Sequence, residues 1–342
     1  MKVKVAVVIL NWNGRKMLER FLPNVVSYSE CADVAVYVAD NGSTDDSVAL
    51  LEQKFPSVQR ILLPENYGFA EGYNKALVQI EATYYVLLNS DVEVTDGWLQ
   101  PLVSYMDSHP QTAACQPKLL DWNRKEMFEY AGGSGGYIDR YGYPYCRGRI
   151  FGTLEKDCGQ YEDVASVFWA SGAALFIRSA DYKNAGGLDG RFFAHMEEID
   201  LCWRLRSMGR KIVCVPQSVV YHVGGGTLKR ESPRKTFLNF RNNLLMLYKN
   251  LPDEELGSVL RIRRWLDYLA ALSFLLKGHL SNAREVIKAR RAFLRECVDY
   301  RSERQRNLQR TVLPSIPERY PISILKAYYL KRQCFFSQLK QW

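Results

Sequence analysis

The sequence predicts an α/β fold built on a mostly parallel sheet, with a helical and basic C-terminal extension. Two observations carry that expectation. Apolar β-type runs alternate with helix-like segments through the first hundred residues, and beyond residue 229 the pattern becomes helical, amphipathic and rich in Lys and Arg. A chain of 342 residues, 47% of them apolar, holds one large domain with an appendage or two modest domains.

The strand-like runs cover 3–10, 34–39, 58–63 and 84–88, and helix-like segments at 15–28, 45–55 and 70–81 separate them. Short connections between such elements build a parallel sheet with crossover helices. The nearly continuous apolar strands imply cover on both faces. Sheets of this Rossmann-like type receive ligands beyond the carboxyl ends of their strands. From 122 to 165 the alternation breaks, and Gly132-Gly133-Ser134-Gly135-Gly136 with the Tyr/Gly/Arg-rich stretch to Gly152 reads as mobile loops or short hairpins. Order returns at 167–177, with helices near 180–185 and 197–208 and a strand at 211–215 leading to 219–222.

The net charge of +9 is unevenly placed: residues 229–342 hold 24 Lys/Arg against 10 Asp/Glu, whereas residues 1–228 hold 22 against 27. The basic third would meet a nucleic acid, an anionic lipid or a phosphorylated acceptor. The eight cysteines show no paired spacing, which favours reduced thiols in a cytoplasmic setting. Lys2 and Lys4 lead into a strand rather than a cleavable apolar segment, and no run of about 18 apolar residues suggests a membrane span.

Polar clusters follow all four early strands: Asn11-Trp12-Asn13-Gly14, Asp40-Asn41-Gly42-Ser43-Thr44-Asp45, Asn66-Tyr67-Gly68-Phe69-Ala70 and Asn89-Ser90-Asp91. Turn chemistry accounts for one such cluster, but four at one sheet edge indicate a site. Asp40 can accept from a pyrimidine N–H while the Gly42-Ser43 backbone approaches a nucleotide. Ser43 or Thr44 equally suits a helix cap. Asp91, at a strand's carboxyl end, suits Mg²⁺ or Mn²⁺ held against phosphate oxygens. His222, before Gly224-Gly225-Gly226, is a second candidate ligand, and its imidazole favours Mn²⁺. Glu197, Glu198 and Asp200 open a helix after Phe192-Phe193-Ala194-His195-Met196. The helix dipole explains one or two acids there, and a third leaves a carboxylate for general-base work.

Taken in order, these pieces resemble the inverting family 2 glycosyltransferases of the GT-A fold, and in particular rhamnosyltransferase-like bacterial members that build surface polysaccharide. The matching stretches also include Ala170-Ser171-Gly172-Ala173, Gly186-Gly187-Leu188-Asp189 and the run onward to Asn74 from Ala70, within about residues 3–226. The resemblance implies a catalytic domain at 1–228, with a nucleotide-sugar half at about 1–120 and an acceptor half at about 121–228; the helical, basic C-terminal region at 229–342 lies outside it. It places the donor among Asn11, Asp40, Asn41, Gly42, Ser43, Asn66, Gly68, Phe69, Asn74, Asn89 and Ser90. Ser171, Gly172 and Asp200 fall on the acceptor side, Asp200 as structural support or as an acceptor contact. Asp91 matches the metal-binding last acid of the family's Asp-x-Asp motif, whose first acid is Asn89 here. That substitution makes His222 a more plausible second ligand. The family's acid pair falls on Glu197-Glu198, with Glu198 as base and Glu197 as the other candidate.

The implied partners are a nucleotide-sugar donor, with dTDP-rhamnose favoured and UDP-sugars next, and a glycan or polyprenyl-diphosphate-linked acceptor. A stripe of Trp265, Leu266, Leu269, Leu272, Leu275 and Leu276 beside Arg261, Arg263, Arg264 and Lys277 has two readings. It packs on the catalytic domain, or it lies on an anionic membrane at the inner face of the cell. Two rival functions fit less well. A sugar-nucleotide-forming nucleotidyltransferase calls for a Gly-rich basic loop after the first strand, which Asn11-Trp12-Asn13-Gly14 is not. A nucleic-acid-binding protein has only the charge in its favour, so nucleic acid is not an expected partner.

Overall fold

The computed structural model describes residues 3–224 and 232–339. It opens with β1 (Val3–Asn11), α1 (Arg15–Tyr28), β2 (Val34–Asn41), α2 (Ser47–Lys54), β3 (Gln59–Leu63), α3 (Gly68–Leu77) and β4 (Ala82–Leu88). β1 lies between β2 and β4 and runs parallel to both, and β2 carries β3 in parallel on its other edge. The alternation of side chains along β1 explains its unbroken apolar sequence. Val5, Val7 and Ile9 face one core with Leu18 and Leu22 of α1, while Ala6 and Val8 face another with Ala70 and Tyr73 of α3.

The chain continues through β5 (Val92–Val94), α4 (Leu99–Ser108) and β6 (Thr112–Asp121). The short strands β7 (Gly136–Asp139), β8 (Pro144–Cys146), β9 (Arg149–Ile150) and β10 (Thr153–Leu154) follow. Then come β11 (Ala165–Ser166), β12 (Ala174–Arg178), α5 (Ser179–Asn184), α6 (Glu197–Ser207) and β13 (Lys211–His222). The main sheet has the order β11-β13-β6-β12-β4-β1-β2-β3, with β5 on β13. β12 runs antiparallel between β4 and β6, and β5 and β11 run antiparallel to β13, so the sheet is evenly mixed rather than mostly parallel as expected. The parallel pairings are β1 with β2 and β4, β2 with β3, and β6 with β13.

The Gly-rich stretch forms hairpins. Its glycines serve close packing, because the Gly136 backbone lies against the Trp169 indole with no space for a Cβ, and Gly136 O accepts from Phe168 N at 2.8 Å. After α7 (Pro233–Asn250), α8 (Asp253–Leu276), α9 (Leu280–Glu296) and α10 (Arg301–Gln309), β14 (Arg319–Tyr320) adds to β7 and completes a second sheet, β10-β9-β8-β7-β14. The C-terminal region is helical as expected, yet it shares the core of the sheet: Leu244–Leu247 of α7 join Ile199, Leu201 and Trp203 of α6 in one cluster.

The internal-packing reading of the 265–276 stripe needs correction. α8 buries Val259, Arg263, Asp267 and Ala271, one turn apart, and turns Trp265, Leu269, Leu272, Leu275 and Leu276 outward. Among the described residues no helix is long and apolar enough to cross a membrane.

Candidate active site

The ends of β1 and β2 interlock. Asn11 Nδ2 donates to Asp40 Oδ1 at 3.0 Å and to Ser43 Oγ at 3.1 Å, and Ser43 N donates to Asp40 Oδ2 at 2.9 Å. Gly42 packs on the backbone of Glu65 and Asn66, and Ser90 Oγ lies near the Gly14 turn. Asp40 is buried at the sheet edge, and each of its oxygens keeps a second lone pair for a ligand.

Four residues expected at the nucleotide, Asn41, Asn66, Gly68 and Asn74, also make scaffold contacts. Asn41 Nδ2 donates to Asn66 Oδ1 at 3.1 Å and to Gly68 O at 3.0 Å, which fixes the loop entering α3. Asn74 receives Leu188 N at 3.0 Å and donates to Leu188 O at 2.8 Å, tying α3 to the segment before α6. Gly68 has φ +76°, and a Cβ there would strike Phe193, whose carbonyl accepts from Phe69 N at 2.6 Å.

β13 delivers the second polar group. Its antiparallel register sets His222 opposite Val92, so the imidazole reaches the preceding residue, Asp91. His222 Nε2 is 3.2 Å from Asp91 Oδ1 and 3.3 Å from Asn89 Nδ2, while Nδ1 is 3.2 Å from Glu129 Oε1. Burial lowers the affinity of His222 for a proton, but the charges of Glu129 and Asp91 outweigh it and push the imidazole up to about 10. Burial raises the Asp91 carboxyl, and His222 with the Asp91 and Gly224 N–H groups brings it below the ordinary range.

This donor set fits a divalent cation. Asp91, Glu129 and His222 form one buried cluster with surplus negative charge, and a cation that displaced the imidazole proton would find Asp91 Oδ1 and His222 Nε2 side by side. Among the described residues no three or more such side chains close round an ion by themselves, as expected where phosphate and water complete the shell. Glu129 stands where the outer carboxylate of a carboxylate–histidine–metal arrangement stands. Nothing in the sequence marked it, since it belongs to an irregular segment and no motif. Gly225 and Gly226 lie outside the described residues.

The acid pair sits behind a strained turn. Phe193, His195 and Met196 have φ of 63°, 72° and 73° without being glycine. Asn242 of α7 holds that turn by donating from one amide to Phe192 O, Ala194 O and His195 O at 2.9, 3.0 and 2.8 Å. Asn242→Ala would remove a donor from three carbonyls, of which Phe192 O keeps Ala194 N and Arg241, and should lower stability by about 1–3 kcal/mol. A melting temperature equal to the parent's would show that the turn holds itself.

Beyond the turn, Glu198 emerges beside Gly172, near Phe69. Ala173 O accepts from Asn89 N at 3.0 Å, so the Ser171-Gly172 turn links Glu198 to the Asn89–His222 cluster. Burial pushes the Glu198 carboxyl up to about 7. Glu197, also buried, has its carboxyl raised well above its ordinary value by burial and then by the charge of Glu198. Each keeps an Oε2 without a hydrogen-bond partner.

Asp200 is not an acceptor contact. It is fully buried and bonded to Arg204 Nε at 3.0 Å, Lys249 Nζ at 2.8 Å and Asn250 Nδ2 at 2.8 Å. Burial raises its carboxyl, but Lys249 and Arg204 outweigh that and hold it low, as support for α6 on α7.

Residues 6–158 match the model of "Glycosyl transferase family 2". An N-acetylglucosaminyl-diphospho-decaprenol L-rhamnosyltransferase of Mycobacterium tuberculosis is 26% identical over 234 residues, covering 63% of this chain and 75% of that protein. Two crystal structures share the fold. GalNAc-T7 with UDP, GalNAc and Mn²⁺ aligns at TM-score 0.59 and 16% identity, over 74% of this chain and about half (49%) of its own. Residues 1–349 of Staphylococcus aureus TarS align at 0.56 and 14%, over 89% of both chains. These likenesses show the GT-A architecture.

Proposed function

We propose, because the chain belongs to the family 2 glycosyltransferases, that it moves a sugar from a nucleotide-sugar donor to a lipid-linked or glycan acceptor in surface-polysaccharide assembly. L-Rhamnose from dTDP-rhamnose is the donor that agrees with the mycobacterial relative, and a polyprenyl-diphosphate-linked saccharide is the corresponding acceptor. The observation that carries the reading is the chain of contacts from Asp91 and His222 through Asn89 and Ala173 to Glu198.

Each residue then has a task. Asp40 and the Gly42-Ser43 backbone receive the nucleoside. Asp91 and His222 hold a divalent metal, with Mn²⁺ suited to the imidazole; when bound, it supplies the positive charge that stabilises the departing diphosphate. Glu198 takes the proton from the acceptor hydroxyl as that oxygen attacks the anomeric carbon. One in-line displacement inverts that carbon. Burial and the charge of Glu198 raise the Glu197 carboxyl well above its ordinary range, which favours Glu198 as the proton acceptor. The eight free cysteines agree with a reducing, cytoplasmic setting.

The test is a panel of dTDP-rhamnose and UDP-sugars with a polyprenyl-diphosphate-linked acceptor, read as nucleotide release with Mn²⁺ and with excess chelator. Metal-dependent release with one donor and an inverted linkage is expected. Turnover undiminished by chelator, or retention at the anomeric carbon, would overturn the mechanism. Glu129→Gln should weaken Mn²⁺ binding about 10–100-fold by calorimetry without substrates. An unchanged affinity would reduce Glu129 to a structural role.

A further inference from the structure

We infer that the outward face of α8 is a docking surface for an anionic lipid bilayer. Ile262, Trp265, Leu269, Leu272 and Leu276 recur at intervals of three and four residues, so they share one side of the helix. Trp265, Leu269 and Leu276 are 64%, 60% and 81% exposed, which is far from the usual state of large apolar side chains. Tyr268 and Leu275 widen the exposed band. From Ile262 to Leu276 the band runs about 21 Å along the helix at 1.5 Å per residue.

The opposite side of α8 is already engaged. Asp267 is bonded to Arg263 and to Arg290 of α9, and Ala271 packs with Ala283 and Val286 of α9. The outward face is therefore not a second core that another part of the described chain fills.

Charge selects the occupant. Between residues 256 and 284 the single carboxylate is Asp267, and it is fully buried. Arg261, Arg264 and Lys277 are exposed on α8 and its end, and α9 exposes Arg284, Lys288, Arg291 and Arg295. A second copy of the chain docked on this face would bring like charges together in either helix orientation, with no exposed acid on that stretch to pair with them. Lys288 and Arg295 pair with Glu285 and Glu296 on α9, and an anionic lipid surface complements the remaining charge of Arg261, Arg264, Lys277, Arg284 and Arg291. A tryptophan on an amphipathic helix also suits the boundary between headgroups and acyl chains. The helix lies in the plane of the surface and attaches reversibly.

This surface rests on the lipid-linked acceptor reading only for its purpose, since it would bring the enzyme to a substrate held in a bilayer. The test uses no acceptor, so the two readings fail separately. The full chain is floated with vesicles of phosphatidylcholine alone or with phosphatidylglycerol, at low and high salt. Recovery with phosphatidylglycerol vesicles at low salt is expected, with strong loss in the other three conditions. Trp265→Ser and Leu269→Ser should each weaken binding about tenfold, and Arg261→Glu with Arg264→Glu should erase the preference for anionic vesicles. Nucleotide release with a water-soluble acceptor analogue should stay at the parent's rate in all these variants, because α8 contributes none of the site residues. Absence of flotation in all four conditions would overturn the inference. So would a dimer in analytical ultracentrifugation that Leu269→Ser dissociates, which would make the face an interface between two copies.

Discussion

Asp91→Asn should reduce transfer by about 10³-fold or more while the protein still folds, because a metal-borne charge contributes several kcal/mol to the transition state and 1.36 kcal/mol is tenfold. Among the described residues Asp91 is the one carboxylate that meets His222 Nε2, at 3.2 Å; Glu129 lies on the other ring nitrogen. The amide keeps the shape and removes the anion. His222 then loses one of its two acidic neighbours, so Mn²⁺ affinity measured without substrate should fall alongside the rate. A variant with full activity and an unaltered circular dichroism spectrum would take Asp91 out of the chemistry. Loss of activity with unchanged Mn²⁺ affinity would move its role to the substrate.

The second large effect is expected at Glu198. Glu198→Gln should lower kcat by about 10²–10⁴-fold, the usual range for a general base, with little change in the donor's KM. The pH profile gives an independent check. A base works deprotonated, so the parent's rate should rise with pH and level off above about 7, the value to which burial lifts this carboxyl from 4.5. An unperturbed glutamate would put that limb more than two pH units lower. Glu198→Gln should abolish the limb along with the rate. If Glu197→Gln shows the large loss while Glu198→Gln does not, the base is the neighbouring residue.

Much of the catalytic half was legible because its signals are local. Short, nearly continuous apolar runs mark β1 to β4, and amphipathic spacing marks α1, which spans the expected residues 15–28. Polar loops at strand ends mark the ligand edge by a topological rule that needs no side-chain contact. Asp40, Asp91 and Glu198 therefore stood out as candidates. Asn41, Asn66 and Asn74 were harder to place. An asparagine in a loop at the ligand edge looks the same in sequence whether its amide meets a nucleotide or, as at Asn74, the backbone of Leu188.

By itself the sequence determined the order of the elements from β1 to β4, the edge at which a ligand is expected and the chemical types available there, since each follows from spacing along one segment; β5, α4 and β6 were not read from it. Only the tertiary structure decided which groups meet. The register of β13 on β5 carries His222 to Asp91, and an irregular segment brings Glu129 to the far side of the same ring. A helix from the C-terminal third supplies Asn242, whose one amide fixes the strained turn before Glu198. The same assembly decided which of two apolar faces of α8 was buried. That choice could not be read locally, because Ala271 and Leu272 carry the same apolar signal one residue apart, and only the packing of α9 against Ala271 leaves Leu272 facing out. Periodicity records that a face is apolar; what covers it depends on contacts between segments far apart in the chain.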